Sequence, residues 1–115
     1  MTIFDPQEIS TYLGGRDSPL DGGARRFEAV GPTSILDLGI FPESMNVAIE
    51  VFDRGGGQPL VSLDVDYCES VAVRTEAGKP TLVITQSVHC LECSARRERR
   101  FFISVQPKLR VWNER

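Results

Sequence analysis

Leu60-Val61-Ser62-Leu63-Asp64-Val65-Asp66-Tyr67 is the stretch on which the fold turns. Val61, Leu63, Val65 and Tyr67 alternate with Ser62, Asp64 and Asp66. A two-residue period puts one set on a buried face and the other in water, which is the pattern of a half-buried β-strand. The preceding segment, Asn46–Asp53, reads the same way, with Val47, Ile49 and Val51 on one face and Ala48, Glu50 and Phe52 opposite. Between the two lies Arg54-Gly55-Gly56-Gly57-Gln58-Pro59, whose glycines and proline make a turn.

Working outward, Arg26–Val30 and Ser34–Ile40 are shorter strand candidates separated by Gly31-Pro32, and Pro42 closes the second. On the other side, Cys68-Glu69-Ser70 suggests a tight turn or bulge before Val71–Thr75. Ala77-Gly78-Lys79-Pro80 reads as a hairpin turn into Thr81–His89. Residues 90–98 read as a loop or one helical turn. Arg99–Gln106 then resumes strand character with Phe101, Ile103 and Val105 inward, and Lys108–Asn113 closes the chain with Leu109 and Val111 on one side.

Ahead of this β region the signals change. Asp5 is a good N-cap, Pro6 suits the first helical position, and Glu8 stands three residues after the cap. Gly14-Gly15 ends the helix, so its span is 6–13. A helix this short needs tertiary support, and Ile9, Tyr12 and Leu13 are its candidates for packing. Residues 14–25, rich in Gly, Asp and Ser with one Pro, read as a loop. The expected architecture is a single mainly β domain over residues 1–115. It is an antiparallel β-sandwich or small barrel of about seven or eight strands, with one short N-terminal helix and a β region spanning 26–113.

Composition narrows the class. An apolar fraction of 41% and a charged fraction of 25% are ordinary for a globular domain. No apolar run approaches the roughly 20 residues that span a bilayer, and Met1-Thr2-Ile3-Phe4-Asp5-Pro6 lacks the basic and apolar regions of a secretory signal. With three cysteines, an odd number, the expectation is reduced thiols in a cytoplasmic setting. The net charge of −3 is unevenly placed. Residues 1–40 carry three Arg against six acids, residues 41–76 two Arg against seven acids, and residues 77–115 eight Lys or Arg against three Glu. Such asymmetry implies two faces of opposite sign or charge pairing between neighbouring strands.

Chemistry concentrates in His89-Cys90-Leu91-Glu92-Cys93 and the following Ser94-Ala95-Arg96-Arg97-Glu98-Arg99-Arg100. Cys90-x-x-Cys93 has metal-ligand spacing, and His89 with Cys68 would complete a Cys3His set for zinc. Two points count against it. His89 and Cys90 are adjacent, so a continuing strand turns them to opposite faces, and no second ligand couple is present. The same pair as a redox dithiol lacks the βαβ setting of such motifs. Cys68, in register with Asp64 and Asp66, is expected on the polar face of a regular strand.

Arg96, Arg97, Arg99 and Arg100 would suit nucleic-acid phosphates, but a pI near 5.1 and few outward aromatics argue against that partner. Solvated charge, or pairing with Asp64, Asp66 and Glu69, is the simpler expectation. Glu50, Asp64 and Asp66 have no calcium-loop spacing. Neither Ser62 nor Ser70 has the glycines of a nucleophile elbow, and Gly55-Gly56-Gly57 lacks the Lys-Ser/Thr of a phosphate loop. His89 is the only imidazole, so any Cys–His pair would have to use it.

The sequence therefore supports a non-enzymatic domain that binds another protein or a second copy of itself, as an adaptor, inhibitor, immunity-type or regulatory subunit, with no cofactor. Its expected contact residues are Arg96, Arg97, Arg99, Arg100, Phe102 and Trp112, with Phe52 a further outward aromatic; aromatics beside arginine are common interface anchors. The alternatives are a zinc- or thiol-dependent protein built on Cys68, His89, Cys90 and Cys93, and nucleic-acid binding through Arg96–Arg100.

Overall fold

Among the described residues two five-stranded sheets pack face to face as a β-sandwich, with no strand pairing joining them into a closed barrel; apart from a first two-residue strand, they form one after the other along the chain. The computed structural model describes residues 1–89, 96–105 and 108–114, with only the backbone of His89 and Arg96. The N-terminal sheet is an antiparallel meander of β2 (Arg16–Pro19), β3 (Arg25–Val30), β4 (Ser34–Phe41), β5 (Asn46–Asp53) and β6 (Pro59–Val65). The C-terminal sheet runs β7 (Cys68–Glu76), β8 (Lys79–His89), β9 (Arg96–Ser104) and β10 (Arg110–Asn113), and its far edge is closed by β1 (Ile3–Phe4), which pairs in parallel with β7.

The core follows from the alternation. Leu36, Leu38 and Ile40 of β4 and Val47, Ile49 and Val51 of β5 point inward, as does Val65 of β6. They meet Val71, Leu82, Ile84 and Ile103 of the other sheet in one continuous apolar cluster. Each fully buried side chain of this kind contributes about 1.5–3 kcal/mol relative to exposure. The eight strands expected from the sequence are all present, and two short edge strands, β1 and β2, add to them.

The helix α1 (Pro6–Leu13) is positioned by three local devices. The Asp5 carboxylate accepts from the backbone N–H groups of Gln7 and Glu8, at 3.0 and 3.4 Å. Gly14 ends the helix in the left-handed region, and its N–H donates to the Ser10 carbonyl at 2.9 Å. Glu8, which the capping pattern would turn back onto the cap, instead accepts the Val73 backbone N–H at 2.7 Å. β1 covers only the first part of β7, as far as Val71, so Glu8 satisfies an edge donor that no strand reaches. Ile9 and Leu13 lock into the core beneath it.

The segment 14–25 differs from its expected loop. Arg16–Pro19 pairs antiparallel with β3, Arg16 opposite Glu28 and Pro19 opposite Arg25, and only Asp21–Gly23 forms a tight turn. Its Gly, Asp and Pro content hid the strand because a sheet edge tolerates Pro and polar residues that an inner strand would not. Gly15 is needed there, since a Cβ would lie 1.5 Å from the Glu28 carbonyl oxygen.

The chain crosses between sheets at Asp66-Tyr67, and here the sequence alternation breaks. β6 stops at Val65, Tyr67 takes a left-handed φ of 56° and is 68% exposed, and Cys68 turns into the core. One left-handed residue shifts the side-chain phase, so Tyr67 and Cys68 exchange their expected faces. The crossing is tied down by the Cys68 N–H on the Met45 carbonyl at 2.8 Å and by the Thr2 hydroxyl on the Cys68 carbonyl at 2.7 Å. The irregularity anticipated at Cys68-Glu69-Ser70 is a bulge in the β7–β8 register. At the other end of β8 the expected loop gives way earlier than foreseen, because Arg96–Glu98 already belong to β9, opposite Ser87–His89. Cys90 and Cys93 lie outside the described residues.

Candidate docking face

The outer face of the C-terminal sheet carries side chains that the sandwich core does not use. Cross-strand register sets Ala72 opposite Val83, Val83 opposite Phe102, and Phe102 opposite Trp112, giving an apolar row across four strands. Arg74 opposite Thr81 and Ser104 opposite Arg110 form the polar row on one side. Ser70 opposite Thr85 and Thr85 opposite Arg100 form it on the other. Since β10 is the edge, Trp112 is the last member of the apolar row.

The aromatic pair is tightly made. The Phe102 and Trp112 rings stack with centroids 5.4 Å apart at 21°. The Arg100 guanidinium lies 5.7 Å from the Phe102 centroid and that of Arg110 lies 5.2 Å from the Trp112 centroid. This cladding explains why Phe102, on an outer face, is only 7% exposed while Trp112 stays 36% exposed. Phe102 thus lies on the expected outer face but is covered there, and it forms the support on which Trp112 rests. Beside the pair runs an open groove of about 530 Å³ lined by Glu76, Lys79, Thr81, Arg110, Trp112 and neighbours.

Electrostatics fix the orientation of Arg100. Its Nε donates to Glu114 at 2.7 Å, a second nitrogen also pairs with that carboxylate, and Glu76 lies 3.9 Å away. These acids, the Glu114 hydrogen bond first, push the guanidinium pKa above its ordinary value. Arg100 is therefore held by Glu114 and Glu76, and not by the Asp64, Asp66 and Glu69 set expected from the sequence; Asp66 accepts instead from Asn46 at 2.9 Å.

The remaining expected contact residues divide by strand alternation. Arg97 and Arg99 are exposed but belong to the opposite alternation of β9 from Arg100 and Phe102. Arg96 is placed only by its backbone, opposite His89. Phe52 is half-buried on the other sheet, opposite Ile35. Arg74, Lys79, Thr81 and Arg110 join the face without having been singled out. Arg110 was legible in principle, since it stands two residues before Trp112 in a strand and so shares its face.

The outer face of the N-terminal sheet has the contrary character. Glu28 lies opposite Asp37 and Asp37 opposite Glu50, so three acids cross three strands in one row. Two arginines temper it: Arg16 stands opposite Glu28 at the β2 end of the row, and Arg26 grips Asp37 through Nε and Nη2 at 2.8 and 2.6 Å; this pairing raises the Arg26 pKa. The outer face of the N-terminal sheet is thus the more acidic, whereas that of the C-terminal sheet is aromatic and mixed in charge, with Arg74, Lys79, Arg100 and Arg110 beside Glu76 and Glu114.

Of the thiol set, Cys68 is fully buried among core residues, and its Sγ–H donates to the Ser70 carbonyl at 3.5 Å. Burial pushes its pKa up to about 11, the reverse of what a metal ligand or nucleophile needs. Its register partner Gln86 precedes His89 by three residues, roughly 10 Å of strand. Among the described residues no cluster of three His, Cys, Asp or Glu is close enough to hold a metal ion, and no helix is long and apolar enough to cross a membrane.

No protein-family model matches the chain, and no curated protein matches its sequence. The fold as a whole defines the class: among the described residues, a β-sandwich of two five-stranded sheets, one a meander and the other a meander closed by the parallel β1, with one short helix. It is similar to a chain of a solved contact-dependent growth inhibition toxin–immunity protein complex from Klebsiella pneumoniae 342, with a TM-score of 0.77 at 10% identity. The match covers 98% of this chain and 94% of that one. At that identity the likeness is one of fold.

Proposed function

We propose that this chain is a non-enzymatic protein-binding domain of the inhibitor or immunity kind, docking its partner on the outer face of the C-terminal sheet. Trp112 is the anchor, Phe102 its rigid support, and Arg74, Arg100 and Arg110 the rim. The observation that carries this reading is the stacked, arginine-clad Trp112–Phe102 pair on a sheet face that the core does not need. A large aromatic held in one orientation loses little entropy on binding, and Trp and Arg dominate interface hot spots. The resemblance in fold to a chain of a toxin–immunity complex supports a protein as the partner. The basic rim suits a partner that presents carboxylates around an apolar pocket, which would speed encounter and fix register.

Photo-cross-linking tests the reading directly. A benzoylphenylalanine at position 112 should trap a partner polypeptide, and the same group at position 50 on the acidic face should not. Against an identified partner, Trp112→Ala should weaken binding by at least about 2 kcal/mol, or roughly thirtyfold, in calorimetry. Trapping from position 50 alone, or full affinity in Trp112→Ala, would refute the proposed face.

A further inference from the structure

We infer that β6 is a self-association edge, through which a second copy of this chain adds an antiparallel strand and joins two N-terminal sheets into one. This does not rest on the docking face, which lies on the other sheet. The four sheet edges are protected very unequally. β1 has two residues, and the β7 backbone beyond it is covered by α1, with Glu8 taking the Val73 N–H. β2 has four residues and ends in Pro19; β10 also has four and carries Arg110. β6 runs for seven residues; its one proline, Pro59, is confined to the first position, it carries one charge, Asp64, and no described residue hydrogen-bonds to its outer edge from Leu60 to Val65. Long edges with few charges or prolines are templates for pairing with another chain.

The side chains point the same way. Val61 shares the inward alternation of Leu63 and Val65, yet it is 42% exposed, and the adjoining Leu60 is 68% exposed. The inner apolar row of the sheet thus reaches its edge uncovered. A twofold axis through Ser62, the midpoint of the strand, would set Val61 against Leu63 of the partner subunit and bury both. In that register Asp64 falls opposite position 60 of the second copy, so no acid meets an acid, and the strand is complementary to itself. A seven-residue strand is roughly 23 Å long, so the contact falls below the size of stable dimer interfaces and the association is weak and concentration-dependent.

Sedimentation velocity on the full chain from about 1 to 200 μM should show the 12.8 kDa monomer shifting towards a dimer with a dissociation constant in the micromolar range. Val61→Lys, at an exposed position, should raise that constant by about tenfold or more while leaving the circular dichroism spectrum unchanged. Ser62→Cys should form a covalent dimer on mild oxidation, because directly opposed residues bring their Cβ atoms within about 5 Å. Asp64→Cys should not; both variants are made with Cys90 and Cys93 replaced by Ser, so that the introduced thiol is read against the buried Cys68 alone. A monomer throughout the concentration range, a dimer indifferent to Val61→Lys, or equal cross-linking of Asp64→Cys and Ser62→Cys would each overturn the inference.

Discussion

Replacing Cys68 by Ala should remove a specific slope from the pH dependence of stability. The native thiol is fully buried, and its pKa is raised to about 11 from an ordinary value of 9.0, chiefly by desolvation. Below pH 9 the thiol is protonated in both folded and unfolded chains and contributes no pH dependence. Above pH 9 the unfolded chain loses the proton first, so the folded state binds more protons and stability falls as pH rises. The loss attributable to Cys68 is about half a kcal/mol at pH 9, about 1–2 at pH 10, and levels off near 2–3 above pH 11, following about 1.4 kcal/mol per unit of pKa difference. Cys68→Ala adds a constant cost from the small cavity it leaves, but that offset is independent of pH. Urea unfolding of both proteins at intervals from pH 7 to about 10.5 therefore gives two curves that converge as pH rises. Groups common to both chains, including the lysines and tyrosines, cancel in the difference. A difference that stays flat across that range would mean that the thiol is not buried in the core, and the assigned crossing at Tyr67-Cys68 would be wrong.

Gly15→Ala should cost several kcal/mol and detach β2, since the new methyl would collide with the Glu28 carbonyl; amide exchange in Arg16–Pro19 reports it. Glu8→Ala leaves the Val73 N–H unpaired and should lower stability by about 1–2 kcal/mol in urea titration, with Glu8→Gln recovering part of it. Glu50→Gln relieves a like-charge contact with Asp37 and should raise stability by a few tenths of a kcal/mol, more at low salt than at high.

Much of this molecule is local. The two-residue alternation in Ser34–Ile40 and Asn46–Asp53, and in Phe101, Ile103 and Val105, named the inward side chains because pleating is a property of each strand alone. Asp5, Pro6 and Gly14 placed the helix within its observed bounds, since caps act over three or four residues. The choice between sandwich and barrel, by contrast, depends on whether edges meet, and no single strand carries that information. Neither the pairing of Ile3–Phe4 with β7 nor the strand in Arg16–Pro19 could be read from residues whose partners lie far along the chain or whose composition is that of a turn.

The candidate site divides in the same manner. Trp112, Phe102 and the arginines were visible as residue types. That Phe102 supports Trp112, that Glu114 and Glu76 hold Arg100, and that Arg74 and Arg110 flank the row were settled by strand order and register. At Cys68 one left-handed residue reversed the face that alternation implied. The physical reason is range: propensity, capping and pleat are written within a few residues. Which surfaces meet is decided only when distant strands compete for the same hydrogen bonds and the same buried space.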